Sequence, residues 1–238
     1  MQMSNLPPWP DMEALFWLAL TGALYVVFFR WRKAVGEAAW AQPLLWAAGL
    51  LMAILVFLDI DPARYQKGGD WLIYLLALST VSIAVPIYDN RHIIRAAAFA
   101  FLGAMSIGSI IAAGSAVAMV ALFDFEATLR ASLQATLATK SITSPFAYGV
   151  ADEIGGLPVL AMGIVILTGN FAVLCAARLF ALGGLSDPRA QGLALGVIAH
   201  GIGTAEAVRR SALMGSFAGL AMGVNGVLTS LVLPLVFL

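Results

Sequence analysis

The chain has 238 residues, of which 61% are hydrophobic and 11% charged, and its 13 basic and 13 acidic residues balance. Soluble domains carry roughly 45–50% apolar and about 25% charged residues, so this composition excludes an ordinary soluble fold. The balanced charge, with no basic stripe, also argues against nucleic acid as a partner.

Six apolar blocks are long enough, or nearly so, to cross a hydrocarbon core, which requires about 20 helical residues. In chain order they cover 12–29, 43–60, 71–88, 96–123, 157–182 and 214–238. Two mixed segments, 125–148 and 188–210, are interpreted as helices buried inside a bundle. Because a backbone in lipid must satisfy its own hydrogen bonds, the pattern predicts an all-α polytopic membrane protein with about seven or eight helical elements.

Helix ends are predicted from proline, glycine and capping residues. Starts are expected at Pro43 and Pro158, with Asp187 as the cap before Pro188, and stops at the glycine pairs 155–156 and 183–184.

A weak internal repeat pairs LSTVSIAVP at 78–86 with LATKSITSP at 137–145, and AHGIGTAEA at 199–207 is a fainter third copy. It divides one transmembrane domain, 1–238, into two N-terminal spans within 1–60 and three repeat-like units at 71–123, 125–182 and 188–238. Proline and glycine free backbone groups for a solute, as in the interrupted helices of secondary transporters with inverted repeats. The residues expected to interrupt helices near the midplane are Pro86, Pro145, Gly155, Gly156 and Gly203.

Lys140 is the sharpest candidate for a functional residue. Placing a charge at bilayer depth costs about 2.5–3.5 kcal/mol, so a lysine at this position is a candidate for a functional role. Thr143 and Ser144 fall three and four residues later, and an ammonium with hydroxyl neighbours suits a carboxylate. The alternatives are that Lys140 extends to the headgroups, or that it pairs with Asp152 or Glu153.

His200 is the second candidate, since it lies between apolar residues and beside Gly201 and Gly203. It could bind an anion or relay a proton, and the alternative is a histidine hydrogen-bonded within the structure. Glu206 is expected either to carry a proton or to form an ion pair with Arg209 or Arg210.

The remaining polar residues give weaker signals. The pairs Asp89 with Asn90 and Asp152 with Glu153 could each form a gate, a proton site or a wetted turn. Thr168 and Asn170 are interpreted as interhelical contacts outside the site. No catalytic motif, metal-ligand cluster or cofactor motif occurs, so neither catalysis, nor a metal, nor a cofactor is expected.

The segments TKSITSPFAYGVADEIGG, GLALGVIAHGIGTAEA and FAGLAMG resemble the LrgB/CidB family, which includes the membrane domain of the plant plastidal glycolate/glycerate translocator. The resemblance covers most of the chain after about residue 61. The matching positions are Lys140, Ser141, Thr143, Pro145, Gly155, Gly156, His200, Gly201, Gly203 and Thr204. The departures are Thr139, Ser144 and Ala199, where the family often has proline, threonine and serine.

The resemblance implies two kinds of function. One is transport of small monocarboxylates such as glycolate, glycerate or pyruvate, with proton coupling as a further hypothesis. The residues expected to bind the solute are Lys140, Ser141, Thr143, Ser144, His200, Gly201 and Thr204. The alternative is an antiholin-like regulator of murein hydrolase export and cell lysis, acting with a small LrgA/CidA-type membrane partner. Either function predicts a multi-pass protein of the bacterial inner membrane, and a homo-oligomer is expected.

Overall fold

The computed structural model describes residues 9–36, 38, 40–82 and 84–238, without the side chains of 73, 74, 76–82, 84 and 86. Within these residues the chain forms eleven helices and no strand, which confirms the all-α prediction. In order they are α1 Met12–Ala34, α2 Pro43–Phe57, α3 Pro62–Ser82, α4 Ala84–Asp89, α5 Arg91–Ala96, α6 Ala98–Ala121, α7 Ala127–Ala138, α8 Ser144–Glu153, α9 Pro158–Leu182, α10 Pro188–Arg210 and α11 Ala212–Phe237. The number exceeds the seven or eight expected because polar segments form several short helices.

Four of the described helices, α1, α6, α9 and α11, are long and apolar enough to cross a membrane. Large hydrophobic side chains lie exposed along them, such as Phe99 at 96%, Phe171 at 70% and Leu235 at 85% exposure. Exposed apolar surface on this scale requires a lipid environment. The chain is therefore a multi-pass membrane protein.

Two predicted blocks differ from the helices observed. The block 43–60 becomes α2, whose 15 residues fall short of the length needed to span the hydrocarbon core. The block 71–88 covers the end of α3 and most of α4, and the junction between them is Ile83, outside the described residues. The first copy of the sequence repeat, 78–86, contains this junction, so its geometry stays a prediction.

The predicted helix ends are confirmed. Pro43 and Pro158 lie in the first turns of α2 and α9, where proline loses no hydrogen bond. The Asp187 carboxylate caps α10 by accepting a hydrogen bond of 2.8 Å from the Arg189 amide. The two glycine pairs follow the ends of α8 and α9, with Gly155 at φ 77° and Gly184 at φ 62°. Only glycine adopts this backbone conformation without cost.

The chain divides into two compact units, 1–82 and 83–238. In the first unit, α1 packs on α2 through the edge-to-face rings of Trp31 and Trp46. It is joined to α3 by the Glu13 carboxylate, which binds Lys67 at 2.6 Å. The second unit contains α4 to α11. The unit boundary falls inside the predicted repeat-like unit 71–123, and the division of a single domain 1–238 into three such units stays a prediction.

Helix α10 is a hairpin rather than one buried helix, because the backbone reverses at His200, with φ 40° and ψ −125°. A Cβ atom at Gly203 would overlap the carbonyl oxygen of Leu195, eight residues earlier. In a continuous helix these positions would lie about 12 Å apart. We therefore divide α10 into α10a, 188–199, and α10b, 201–210, with His200 at the tip.

Both halves of the hairpin pack against α11. Gly192 faces Met214 and Gly196 faces Ala218, so α10a runs parallel to the start of α11. Val208 of α10b packs at Gly215, where the chain turns into α11. Gly192 and Gly196 lie four residues apart, a spacing that places both on one face of α10a and permits this close packing.

We expect Gly196→Ala to destabilise the protein, because its Cβ would overlap the Ala218 carbonyl oxygen and approach the Ala221 Cβ at 2.8 Å. Overpacking of this kind costs about 1–3 kcal/mol. Gly223→Ala is the matched control, since no atom lies within 4 Å of the Cβ it would add. Thermal unfolding in detergent should show a lower melting temperature for the first variant alone. Equal melting temperatures would contradict the packing described for α10a and α11.

The predicted helix 125–148 is also broken. Helix α7 ends at Ala138, residues 139–143 are not helical, and α8 begins at Ser144. The Leu157 amide, just after α8, donates a hydrogen bond of 2.8 Å to the Thr136 hydroxyl near the end of α7. Helix α8 therefore runs back toward α7 instead of continuing its direction.

Both broken segments begin at a carboxylate cap outside the membrane-spanning helices. Glu126 accepts hydrogen bonds from the amides of Thr128 at 3.1 Å and Leu129 at 3.2 Å. These bonds, that from Thr128 first, hold the pKa of Glu126 below its usual value. The pKa of Asp187 is lowered by the Arg189 side chain that hydrogen-bonds to it. Each carboxylate therefore stays ionised and keeps its helix capped well below neutral pH.

Candidate functional site

The candidate site lies where the two backbone breaks of the second unit come together. The first break is the loop 139–143, which contains Lys140 and Ser141, and the second is the hairpin tip at His200. Each break is followed by a short helix, α8 or α10b, and then by a long apolar helix, α9 or α11. The sequence repeat predicted interruptions in these two segments, and the structure has one in each.

Asn225 of α11 holds the two breaks together. Its buried amide nitrogen donates to the Ser141 carbonyl at 2.7 Å and approaches the Val197 carbonyl, just before the hairpin tip, at 3.5 Å. Its amide oxygen accepts a hydrogen bond of 2.5 Å from the Ser109 hydroxyl of α6. One side chain thus joins the loop 139–143, α10a and α6. The sequence reasoning missed Asn225, although an amide within a span of 26 mostly apolar residues was the available signal.

Helix α9 joins the same two breaks from another side. The Thr168 hydroxyl donates to the Ile164 carbonyl of its own helix at 2.8 Å, and it also lies 3.2 Å from the Val165 carbonyl and 3.3 Å from the Lys140 carbonyl. The Val165 carbonyl in turn lies 3.1 Å from Nε2 of His200. A short series of contacts therefore connects the Lys140 backbone with the His200 ring. Thr168 was predicted to make an interhelical contact outside the site, but its shortest hydrogen bond is within α9, and its one contact outside that helix among the described residues is the longer one to the site loop.

Lys140 is half-buried, and its charged ammonium group makes few polar contacts with the described part of the protein. Its ammonium donates one long hydrogen bond of 3.4 Å, to the Ser141 hydroxyl. Among the residues that the structure describes, no carboxylate lies within ion-pair distance of it. Asp152 and Glu153 are exposed at the end of α8, so the pairing with Lys140 considered as an alternative is not observed.

His200 is held in the hairpin tip by the structure around it. Its ring is 3% exposed and occupies the space that a side chain at Gly169 would fill. Because the Val165 carbonyl can only accept, Nε2 carries the hydrogen, and Nδ1 is the acceptor nitrogen of the neutral ring. A neutral ring in this tautomer has no second hydrogen for a carboxylate. A direct contact from His200 would therefore require the protonated imidazole.

The predicted hydroxyl groups divide into two sets. The Thr204 hydroxyl donates to the His200 carbonyl, four residues earlier, at 2.8 Å, so its hydrogen is already used within the hairpin. Thr143 and Ser144, in contrast, begin α8 and make no side-chain hydrogen bond with the described part of the chain. Their hydroxyls and the first amides of α8 lie directly after the Lys140 loop. Gly201 opens α10b and has only the Met222 sulfur, at 4.0 Å, near its absent side chain.

The residues predicted to interrupt helices act in different ways. Pro145 lies in the first turn of α8, after the break, and Gly155 and Gly156 end that helix. Gly203 does not interrupt α10, which is a correction: it lies inside α10b and permits the close approach to Leu195. The break is at His200 itself. Pro86 is the third residue of α4, and its side chain lies outside the described residues.

The residues predicted for gating or proton transfer have different contacts. Asp89 ends α4, and Asn90 donates a hydrogen bond of 2.9 Å to the Ser216 hydroxyl of α11. Glu206 is 7% exposed and binds Arg209 at 2.9 Å and Arg210 at 3.1 Å. This is the ion pair within one helix that was the alternative reading for Glu206.

Comparison with known proteins decides the family. The sequence profile of the LrgB-like family matches residues 21–238. The chain belongs to the LrgB-like family. The match includes the loop with Lys140, the hairpin with His200 and Asn225, and it confirms the resemblance drawn from the sequence motifs. No solved structure matches the chain.

Several bacterial proteins are similar to this chain over most of their length. The holin-like protein CidB of Staphylococcus aureus is 25% identical over 227 residues, covering 95% of this chain and 97% of that protein. The uncharacterized proteins YwbG and YxaC of Bacillus subtilis are 27% and 28% identical, covering 82% and 94% of this chain and 85% and 95% of their own lengths. With its four apolar spans, this LrgB-like chain is a multi-pass protein of a bacterial membrane.

Proposed function

We propose that this LrgB-like protein carries small monocarboxylates across the bacterial membrane. One observation carries the proposal: within the described residues, the Lys140 ammonium has no carboxylate partner, although it is half-buried in a membrane protein. A cation removed from water is costly unless a counter-charge compensates it. A carboxylate solute supplies that charge.

The backbone around Lys140 supports an anion in the same place. Helix α8 begins just after the loop 139–143, so its free amides and the positive end of its dipole lie beside the loop. Thr143 and Ser144 add two hydroxyls, and Ser141 contacts the ammonium. The N-terminus of α10b follows the second break, as in transporters whose interrupted helices direct their N-termini at anionic substrates.

In this proposal Lys140 binds the carboxylate, while the hydroxyls of Ser141, Thr143 and Ser144 orient it. His200, Gly201 and Thr204 form the opposite wall, and His200 contacts the carboxylate only when its ring is protonated. Such a contact would make uptake depend on pH, so proton coupling by His200, Glu206 or the acidic residues at 152 and 153 stays a prediction. A flux that is independent of pH would contradict it.

The second candidate function is a holin-like or antiholin-like regulator, and it is favoured by the name of the Staphylococcus aureus relative. This function would rely on assembly with copies of the chain or with a small LrgA/CidA-type membrane partner. A regulator needs a surface for that partner and has no need for an unpaired lysine at a backbone break.

A counterflow assay with purified protein in liposomes distinguishes the two functions. Vesicles loaded with unlabelled glycolate are diluted into labelled glycolate, glycerate or pyruvate at equal pH on both sides. We expect label to accumulate transiently in vesicles with the protein, and excess unlabelled acid outside to abolish it. Protein-free vesicles and leakage of an encapsulated neutral dye are the controls. No accumulation above the protein-free vesicles, with the protein folded, would contradict transport and favour the regulator.

A further inference from the structure

One buried polar atom near the site, the side-chain oxygen of Asn170, lacks a hydrogen-bond partner within the described structure. Asn170 of α9 is 1% exposed, and its side-chain nitrogen donates a hydrogen bond of 2.8 Å to the Ile166 carbonyl of its own helix. Its side-chain oxygen is buried and has no hydrogen-bond partner among the described residues. The bond to Ile166 fixes which end of the amide is the nitrogen, so the unpartnered atom is the acceptor.

Such an atom is uncommon in a native protein. A buried acceptor without a donor costs about 1–3 kcal/mol, and most buried polar groups in proteins are paired. An interhelical hydrogen bond, the role predicted for Asn170, would have used this oxygen, and the described structure has none. An unpaired acceptor in a membrane helix is explained if a donor arrives from a bound molecule.

The position of Asn170 connects it with the candidate site. It follows Gly169, against which the His200 ring packs, and Thr168, which contacts the Lys140 carbonyl. One turn later, Val173 packs in a cluster with Leu195 and Ala199 of α10a. Asn170 therefore lies beside the face of α9 that packs on α10, at the level of the hairpin tip.

We infer that the Asn170 side-chain oxygen accepts a hydrogen bond from the hydroxyl group of a 2-hydroxy acid. This inference rests on the proposed function, and it makes Asn170 a specificity-determining residue. Lys140 binds the carboxylate that every monocarboxylate has, whereas Asn170 detects a hydrogen that a 2-oxo acid lacks. A site with an unpaired buried acceptor binds a donor-bearing solute and disfavours its analogue without the hydrogen.

Lactate and pyruvate test this inference, because they share a carbon skeleton and a charge and differ only in hydroxyl against carbonyl. Counterflow uptake of each is measured for the wild type, Asn170→Leu and Asn170→Ala. Leucine has the same number and branching of side-chain heavy atoms without polar groups, and the smaller alanine suits a helix if leucine prevents folding. Ser230→Ala is the matched control, since the Ser230 hydroxyl bonds only within α11, to the Gly226 carbonyl at 2.8 Å.

We expect the wild type and Ser230→Ala to take up lactate about tenfold better than pyruvate, which corresponds to one hydrogen bond of about 1.4 kcal/mol. Both Asn170 variants should lose this preference through slower lactate uptake, while pyruvate uptake persists and reports that they are folded. A preference retained in the variants, an equal loss for both acids, or a wild type without preference would overturn the inference and leave transport intact. A wild type that moves neither acid would overturn the proposed function, and the inference with it.

Discussion

Replacing Lys140 by methionine is expected to raise the KM for glycolate or lactate by about 10- to 150-fold in the counterflow assay. A hydrogen bond to a charged group contributes about 1.5–3 kcal/mol, and each 1.4 kcal/mol corresponds to a factor of ten. Methionine keeps the length and the apolar part of the side chain. The loss would therefore measure the ammonium group and not the packing of the loop 139–143.

The matched control is Lys67→Met, which removes a lysine whose ammonium binds Glu13 on the surface of the first unit. We expect it to leave the KM unchanged. Lys140→Arg separates charge from shape, because it restores the positive charge in a wider, planar group. It should recover part of the affinity. If Lys140→Met and wild type had equal KM values, Lys140 would not bind the carboxylate, although another site could still carry the flux.

Replacing Asn225 by leucine is expected to lower the stability of the protein by about 1–3 kcal/mol. The amide of Asn225 is the donor to the Ser141 carbonyl at 2.7 Å, and leucine would leave that buried acceptor unpaired. The Ser109 hydroxyl has a single hydrogen, so it would lose the Asn225 oxygen as acceptor and would donate to the Met105 carbonyl, 2.8 Å away, instead. A buried group left unpaired costs about 1–3 kcal/mol, so the unpaired Ser141 carbonyl accounts for the range.

This variant also tests whether Asn225 keeps the two backbone breaks in register. We expect faster proteolysis or hydrogen exchange in the loop 139–143 and at the hairpin tip, with α1 to α3 unaffected. Thr229→Val is the control, because the Thr229 hydroxyl is one turn away and contacts Asn225 only at 3.4 Å. Loss of stability without local change at either break would show that Asn225 acts as an ordinary packing contact.

A carrier and a holin-like regulator would depend on different residues of this chain. A carrier needs the cation, the hydroxyls and the free helix termini that lie around the loop 139–143. An assembling regulator would tolerate Lys140→Met and Asn170→Leu. Cell lysis or hydrolase export measured with these two variants would therefore complement the flux assays, and a lysis phenotype that survives loss of flux would separate the two functions.

The membrane environment, the helical class and most helix ends follow from the order of the residues alone. These properties depend on local chemistry: long apolar runs, prolines in first turns, the Asp187 cap, and the glycines at 155 and 184 whose positive φ ends a helix. The family motifs also contain Lys140 and His200, which the sequence predicts as site residues. Such features act within a few residues along the chain, so they can be read from the order of the residues.

Only the tertiary structure decided how the broken segments fold. The hairpin at His200 was not predictable, because its reversal depends on contacts of Gly192 and Gly196 with α11 and of the His200 ring with Gly169 of α9. The role of Asn225 depends on hydrogen-bond partners that lie far away in sequence, and the role proposed for Asn170 depends on the lack of such a partner among the described residues. An amide within an apolar helix has the same local pattern whether its oxygen is hydrogen-bonded, as in Asn225, or has no partner among the described residues, as in Asn170. Packing between helices distinguishes the two.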